Sequence, residues 1–181
     1  MRISKIKTLI ERGIINTFCV LVDFVLKLIV DGKSQKKTFS SKKNILLIKN
    51  DAIGDFVVWS ACLPYYRQLF PPDKYYLILL SSPTVKPMAI STGFIDEVIT
   101  MDRKKFMLNP IYRAWIIRNI EEYSFDTIIN PSFSREFASG DLLINFIKSN
   151  QKIGVLSDNA IDSSFWINLG NKYYTSLFLP D

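Results

Sequence analysis

The 181-residue sequence contains no histidine and only two cysteines, Cys19 and Cys62. Without an imidazole, acid–base chemistry must rest on a carboxylate, a lysine or a tyrosine. No CxxC pair exists to begin a zinc site or a redox motif, and nothing suggests a disulfide framework. A reducing cytosol is therefore the default setting. Glycine is sparse, with seven residues, and neither GxGxxG nor GxxxxGK[ST] occurs. The first absence argues against a dinucleotide domain, the second against a P-loop. No uninterrupted apolar run reaches the roughly 20 residues that cross a bilayer. The best stretch, Ile14–Val30, is shorter and carries Asn16, Asp23 and Lys27.

What is present is globular in character, at 48% hydrophobic and 22% charged residues. The length suits one domain with a substantial core. The net charge of +6 is unevenly placed. Residues 1–43 hold ten Lys/Arg against three Asp/Glu, a balance of +7, whereas residues 44–181 hold thirteen against fourteen, a balance of −1. A nucleic-acid reader would more often carry its basic face on the folded domain, so no nucleic-acid partner is expected. Positive charge confined to an extension points to an anionic surface such as a membrane.

Residues Lys5–Val30 read as one helix. At about 100° per residue, Lys5, Arg12, Asn16, Asp23 and Lys27 fall on one narrow polar stripe. Leu9, Ile10, Ile14, Phe18, Leu21, Phe24, Val25, Leu28 and Ile29 fill much of the remaining arc. The basic residues and wide apolar face fit a helix lying in the headgroup region of a membrane. A spanning helix, a signal peptide, and a helix packed on its own domain or on a second copy are the competing readings. Asp31–Lys43 then reads as a Gly/Ser/Lys linker, opened by an Asp-Gly helix stop.

From Asn44 onward strand and helix patterns alternate, which indicates a parallel α/β sheet. Strands are expected at Asn44–Lys49, Tyr75–Leu80, Glu97–Thr100, Thr127–Ile129 and Lys152–Val155. Helices are expected at about Asp55–Phe70, around Val85–Ser91, at Pro110–Tyr123 with Ile111, Trp115, Ile116 and Ile120 near one face, and at Phe133–Lys148. The aromatic tail, Leu156–Asp181, suggests packing without a clear element.

The segment Asn44–Pro64 concentrates the chemistry. An apolar strand ends at Lys49, Asn50–Asp51 form a polar turn, and Ala52-Ile53-Gly54-Asp55 lead into a helix. In open α/β sheets ligands bind outside the carboxyl ends of the strands, which is where Asp55 falls. As a helix cap, Asp55 would bind free N–H groups and meet the positive end of the helix dipole. As a functional group, the same carboxylate can take a proton from a substrate hydroxyl. Gly54 is either a turn glycine or a residue that lets a bulky substrate approach the backbone. Asp51 also suggests a phosphoacceptor domain, but no acidic cluster or well-placed strand-end lysine accompanies it.

The stretch ILLIKNDAIGDFVVWSACLPYYRQLFP resembles the opening of glycosyltransferase family 9, the lipopolysaccharide heptosyltransferases. Members begin with a strand, a loop ending in I/L-G-D, and a helix with an early proline. FIDEVI (Phe94–Ile99), FDTIIN (Phe125–Asn130) and KIGV (Lys152–Val155) resemble later family segments in the same order. The resemblance implies a Rossmann-like parallel sheet, the N-terminal half of a GT-B glycosyltransferase, here preceded by the amphipathic helix. Residues 44–181 would then be an acceptor-binding domain, with residues 1–43 as helix and linker and the donor-binding domain absent.

The activity implied is transfer of a sugar from a nucleotide sugar to a lipopolysaccharide or related glycolipid, without metal or cofactor, at the cytoplasmic face of a bacterial inner membrane. By the same resemblance, Asp55 maps onto the general base. Asn50, Asp51 and Gly54 would shape the loop, and Arg135 would contact an acceptor phosphate or carboxylate. The chain departs from the family pattern at Asn130-Pro131, where many members carry an acid or Gln-Gly. It also stops at Asp181, which implies a fragment or truncated form, inactive alone. The alternative is a non-catalytic, membrane-tethered Rossmann-like binding module.

Overall fold

A computed structural model describes residues 2–29 and 42–179, with the side chains of the first helix from Lys7 to Leu28. The expected linker, Lys42 and Lys43 apart, lies outside the described residues, as do the side chains of Lys5 and Ile29.

Six parallel strands form one sheet: β1 (Lys43–Ile48), β2 (Tyr75–Ser81), β3 (Glu97–Thr100), β4 (Phe125–Asn130), β5 (Ser149–Val155) and β6 (Ser176–Phe178). Their order is β3-β2-β1-β4-β5-β6. The order reverses between β1 and β4, which pair from Asn44 with Phe125 to Leu47 with Ile129. This is the doubly wound Rossmann order, which differs from the 2-1-3-4-5 order of flavodoxin-like phosphoacceptor domains.

β1 and β2 are almost wholly apolar because both faces of the sheet are covered. Alternate residues enter separate cores. Leu46, Ile48, Ile78 and Leu80 pack with Phe106, Ile116, Ile117, Ile120 and Leu143 on one face. Ile45, Leu47, Leu77 and Leu79 pack with Phe56, Leu63, Val85 and Ala89 on the other. The helices supplying those side chains are α2 (Ile53–Ser60), α3 (Leu63–Leu69), α4 (Lys86–Ser91), α5 (Arg103–Leu108), α6 (Pro110–Glu121) and α7 (Leu142–Phe146).

Several elements differ from the sequence reading. The single helix expected over Asp55–Phe70 is two, because Pro64 starts a new helix in the first turn of α3. α5 had no periodic signal in its six residues; Asp102 caps it by accepting from the Lys105 N–H at 2.9 Å. α6 buries Arg113 with Ile116, Ile117 and Ile120, while Ile111 and Trp115 are exposed. The helix expected over Phe133–Lys148 is a π-helical turn at Phe137–Asp141 continuing into α7. The tail forms α8 (Ser164–Asn171) and the edge strand β6.

The first helix, α1 (Arg2–Ile29), packs on this body with its polar stripe inward. The Asp23 carboxylate accepts from Arg113 Nε at 2.5 Å and Nη2 at 2.6 Å. Arg12 Nη1 donates to Glu136 at 2.9 Å, and Asn16 Nδ2 donates to Asp162 at 2.8 Å. The Cys19 thiol donates to the Met107 carbonyl at 3.3 Å, and Lys27 sits 5.0 Å from the Phe146 ring centre. The helix packed on its own domain, one of the competing readings, describes the Arg12–Asp23 side of this stripe. Burial pushes the Asp23 carboxyl up, against the pull of Arg113, and raises the Cys19 thiol to about 11.

Candidate functional site

β1 and β4 diverge into loops at their carboxyl ends, and a cleft of about 30 Å³ opens between them. Its walls include Asn50 and Asp51 after β1, Asn130 at the end of β4 and Ser132 just past it, and Arg135, Glu136 and Ser139 beyond. The position is the crevice that the reversal of strand order creates. Its volume is that of about two water molecules and not of a sugar.

The two loops are tied together across the cleft. Lys49 follows β1, is almost fully buried, and donates to Asp51 Oδ2 at 2.5 Å. Ser132 Oγ donates to the same oxygen at 3.1 Å. The sequence places Lys49 at the strand end, and the structure adds its bond to Asp51. Asn130 accepts from the Ser132 N–H at 3.2 Å and donates to Tyr174 Oη at 2.9 Å. Glu136 is a hub on the opposite wall, holding Arg12 of α1, Arg103 of α5 at 3.6 Å, and the Ser139 hydroxyl at 2.5 Å.

Arg135 is not a solvated surface charge. Its side chain is fully buried, 4.5 Å from the centre of the Tyr174 ring. It pairs with Asp141 at 3.4 Å and donates to Asn171. Tyr174 donates to Asp141 Oδ1 at 2.6 Å. Packing here is close. A Cβ on Gly170 would collide with the Asp141 carboxylate, and one on Gly154, the glycine of KIGV, would meet the Tyr174 ring at 2.6 Å.

Burial pushes the Asp141 carboxyl up to about 6, outweighing Arg135 and the Tyr174 hydroxyl. A folded-state value above the unfolded one contributes stability that is complete below about pH 4. That contribution is lost as pH rises through about 6. Asp141→Asn removes this titration. Urea unfolding from pH 4 to pH 7 should show the variant gaining on the wild type by a few kcal/mol as pH rises. Parallel stability curves would show that Asp141 does not titrate in that window.

Among the described residues, four buried side-chain atoms have no hydrogen-bond partner. Three of them, Asn50 Nδ2, Asn50 Oδ1 and Arg135 Nε, belong to residues lining the cleft. Buried polar atoms are ordinarily satisfied, so this crevice suits a small polar occupant offering both a donor and an acceptor.

Asp55 and Gly54 lie apart from these walls, on α2. Asp55 is exposed in the first helical turn, and no described side chain engages its carboxylate. It is not a cap: Ala52 occupies that position and the helix has no side-chain cap bond. The helix dipole still favours an anion there. Gly54 is not a left-handed turn glycine; among the described residues only Gly93 has positive φ. A Cβ at Gly54 would meet nothing within 4 Å, so the fold does not require glycine at that position. No group of three His, Cys, Asp or Glu among the described residues is arranged to hold a metal ion.

The parallel sheet, its strand order and the crevice at the reversal define a Rossmann-like domain. No family model and no curated protein sequence matches the chain. Its fold matches E. coli heptosyltransferase WaaC with ADP, at a TM-score of 0.60 and 13% identity, over 75% of this chain and 41% of that one. It also matches a glycosyl transferase family 9 structure from Veillonella parvula DSM 2008, at 0.61 and 18%, over 77% and 36%. E. coli ADP-heptose lps heptosyltransferase II matches at 0.54 and 15%, over 76% and 35%. The likeness is one of fold, and the chain spans about two-fifths or less of the length of each matched structure.

Proposed function

We propose that this chain is the acceptor-binding part of a family-9-like glycosyltransferase, transferring a sugar from a nucleotide sugar to a lipopolysaccharide-type glycolipid. The observation that carries the reading is the free carboxylate of Asp55 beyond β1, in a fold shared with heptosyltransferases. The solved relatives include complexes with ADP and with ADP-2-deoxy-2-fluoro heptose, which supports a nucleotide-sugar donor. In this reading Asp55 accepts the proton of the attacking acceptor hydroxyl. Gly54 leaves room for the sugar against the backbone, and Asn50, Asp51 and Arg135 shape the floor of the crevice.

The small volume of the β1/β4 cleft and the burial of Arg135 favour a second reading, a binding module that performs no transfer. Calorimetric titration of the chain with heptose-deficient lipopolysaccharide tests the binding that both readings share. A transfer assay with ADP-heptose, on the longest natural form of the protein, separates them. Gly54→Ala is expected to keep or raise stability by up to about 1 kcal/mol, because alanine suits a helix better. It is also expected to weaken acceptor binding about tenfold or more through the added methyl group. Unchanged acceptor affinity in the variant would remove Gly54 from the site, and absence of acceptor binding by the wild type would remove the proposal.

A further inference from the structure

The orientation of α1 is inverted relative to an ordinary surface helix. Arg12, Asn16 and Asp23 are fixed to the body beside the buried Cys19, while a broad row of apolar side chains faces outward. Ile14, Leu21, Phe24 and Leu28 are 65%, 61%, 64% and 69% exposed, with Ile10, Phe18 and Val25 beside them. Along this face an open groove of about 530 Å³ runs between α1 and α8, walled by Ile10, Ile14, Phe18, Leu21 and Trp166. Rotating the helix to hide these residues would uncover the Asp23–Arg113 pair, both of whose side chains are almost fully buried. The outward face is therefore fixed by the packing. A contiguous apolar surface of this kind marks an interaction site.

We propose that the outward face of α1, with Trp166 beside it, lies in the surface of an anionic lipid bilayer. Charge selects this occupant. Residues 1–43 hold ten Lys/Arg against three Asp/Glu, and although Arg12, Lys27 and Lys43 meet Glu136, the Phe146 ring and Asp126 of the body, the excess of positive charge flanks the apolar segment along the chain. A second copy would bring the same positive charge to the interface, whereas anionic headgroups would neutralise it. No helix among the described residues is long and apolar enough to cross a membrane. A 28-residue helix lying flat presents about 40 Å of apolar edge to the acyl boundary. Tryptophan is enriched at that depth, where its ring is half apolar and half wet.

The test is co-sedimentation of the 181-residue chain with vesicles of three parts phosphatidylcholine to one part phosphatidylglycerol, and with phosphatidylcholine alone. The chain is expected to pellet with the anionic vesicles and to bind the neutral ones about tenfold or more weakly. Leu21→Glu with Leu28→Glu should reduce anionic binding about tenfold or more. Both side chains are already exposed, so the melting temperature should hold. In a Trp59→Phe/Trp115→Phe background, brominated acyl chains should quench Trp166. Failure of the wild type to pellet, undiminished binding by the double variant, or binding without Trp166 quenching would each overturn the proposal. A wild-type dimer that the double variant dissociates, with no vesicle binding, would assign the face to a second copy instead. None of these readouts depends on transferase activity.

Discussion

Asp23→Ala should destabilise the protein by about 3–5 kcal/mol, the range for removing one partner of a buried ion pair. Arg113 is the reason. Its side chain is almost fully buried, and its two closest contacts are to the Asp23 carboxylate. Its remaining partners are the carbonyls of Phe106 and Ala138 at 3.3 and 3.0 Å, and the Phe106 ring at 4.2 Å. Without Asp23 a guanidinium stays buried with no counter-charge, and α1 loses its central anchor. Cys19 reports the loss directly, because it lies on α1 and its thiol is wholly buried between that helix and the body. In a Cys62→Ser background, which removes the exposed thiol, Cys19 labelling by a thiol reagent should accelerate about a hundredfold or more. That factor is what 3 kcal/mol implies at about 1.4 kcal/mol per decade. Asp23→Leu combined with Arg113→Met should recover much of the loss, since apolar replacement of a buried pair is often neutral or stabilising. A single variant as stable as the wild type, with Cys19 still protected, would show that the pair does not hold the helix.

The sheet was legible because parallel strands covered on both faces are continuous apolar runs. Asn44–Lys49 and Tyr75–Leu80 could hardly be anything else, and the strands lie within one residue of those bounds, at Lys43–Ile48 and Tyr75–Ser81. Glu97–Thr100 was bounded correctly even at four residues. Periodicity carries no strand order, however, so nothing local placed Asn130 and Ser132 across a crevice from Asn50 and Asp51. Asp51 and Ser132 are 81 positions apart, and their bond exists only because β4 lies beside β1. Lys49 read as the last residue of a strand when it is also a staple of the loop. Arg135 was found through resemblance and its burial was not, because Asp141, Asn171 and Tyr174 converge on it from three separate segments. α1 shows the same limit. The stripe at spacings of 7, 4, 7 and 4 was visible, but an amphipathic pattern does not say which face meets the body. Arg113, Glu136 and Asp162 settle that from 90 to 146 positions away.

The largest functional effect should come from Asp55→Asn. If the Asp55 carboxylate takes the proton of the attacking hydroxyl, the amide, which cannot accept it, should lower kcat by about 10²–10⁴-fold, the usual contribution of a positioned general base. Stability should hardly move: Asp55 is exposed, caps nothing and pairs with no described side chain. Acceptor affinity should also hold within a few-fold, because an isosteric amide keeps the shape of the site. The combination separates a base from the alternatives. A binding contact would raise KM and leave kcat alone. A structural acid would lower the melting temperature, by an amount near the few tenths to 1 kcal/mol of a helix-dipole interaction. Asp51→Asn is the matched control. That carboxylate is held by Lys49 at 2.5 Å and Ser132 at 3.1 Å, so its loss should loosen the two loops and appear in stability first. Measured on the longest natural form of the protein with ADP-heptose as donor, near-normal turnover by Asp55→Asn would remove the base assignment. A large loss of turnover in Asp51→Asn alone, with stability intact, would move the proton acceptor from α2 to the crevice between β1 and β4.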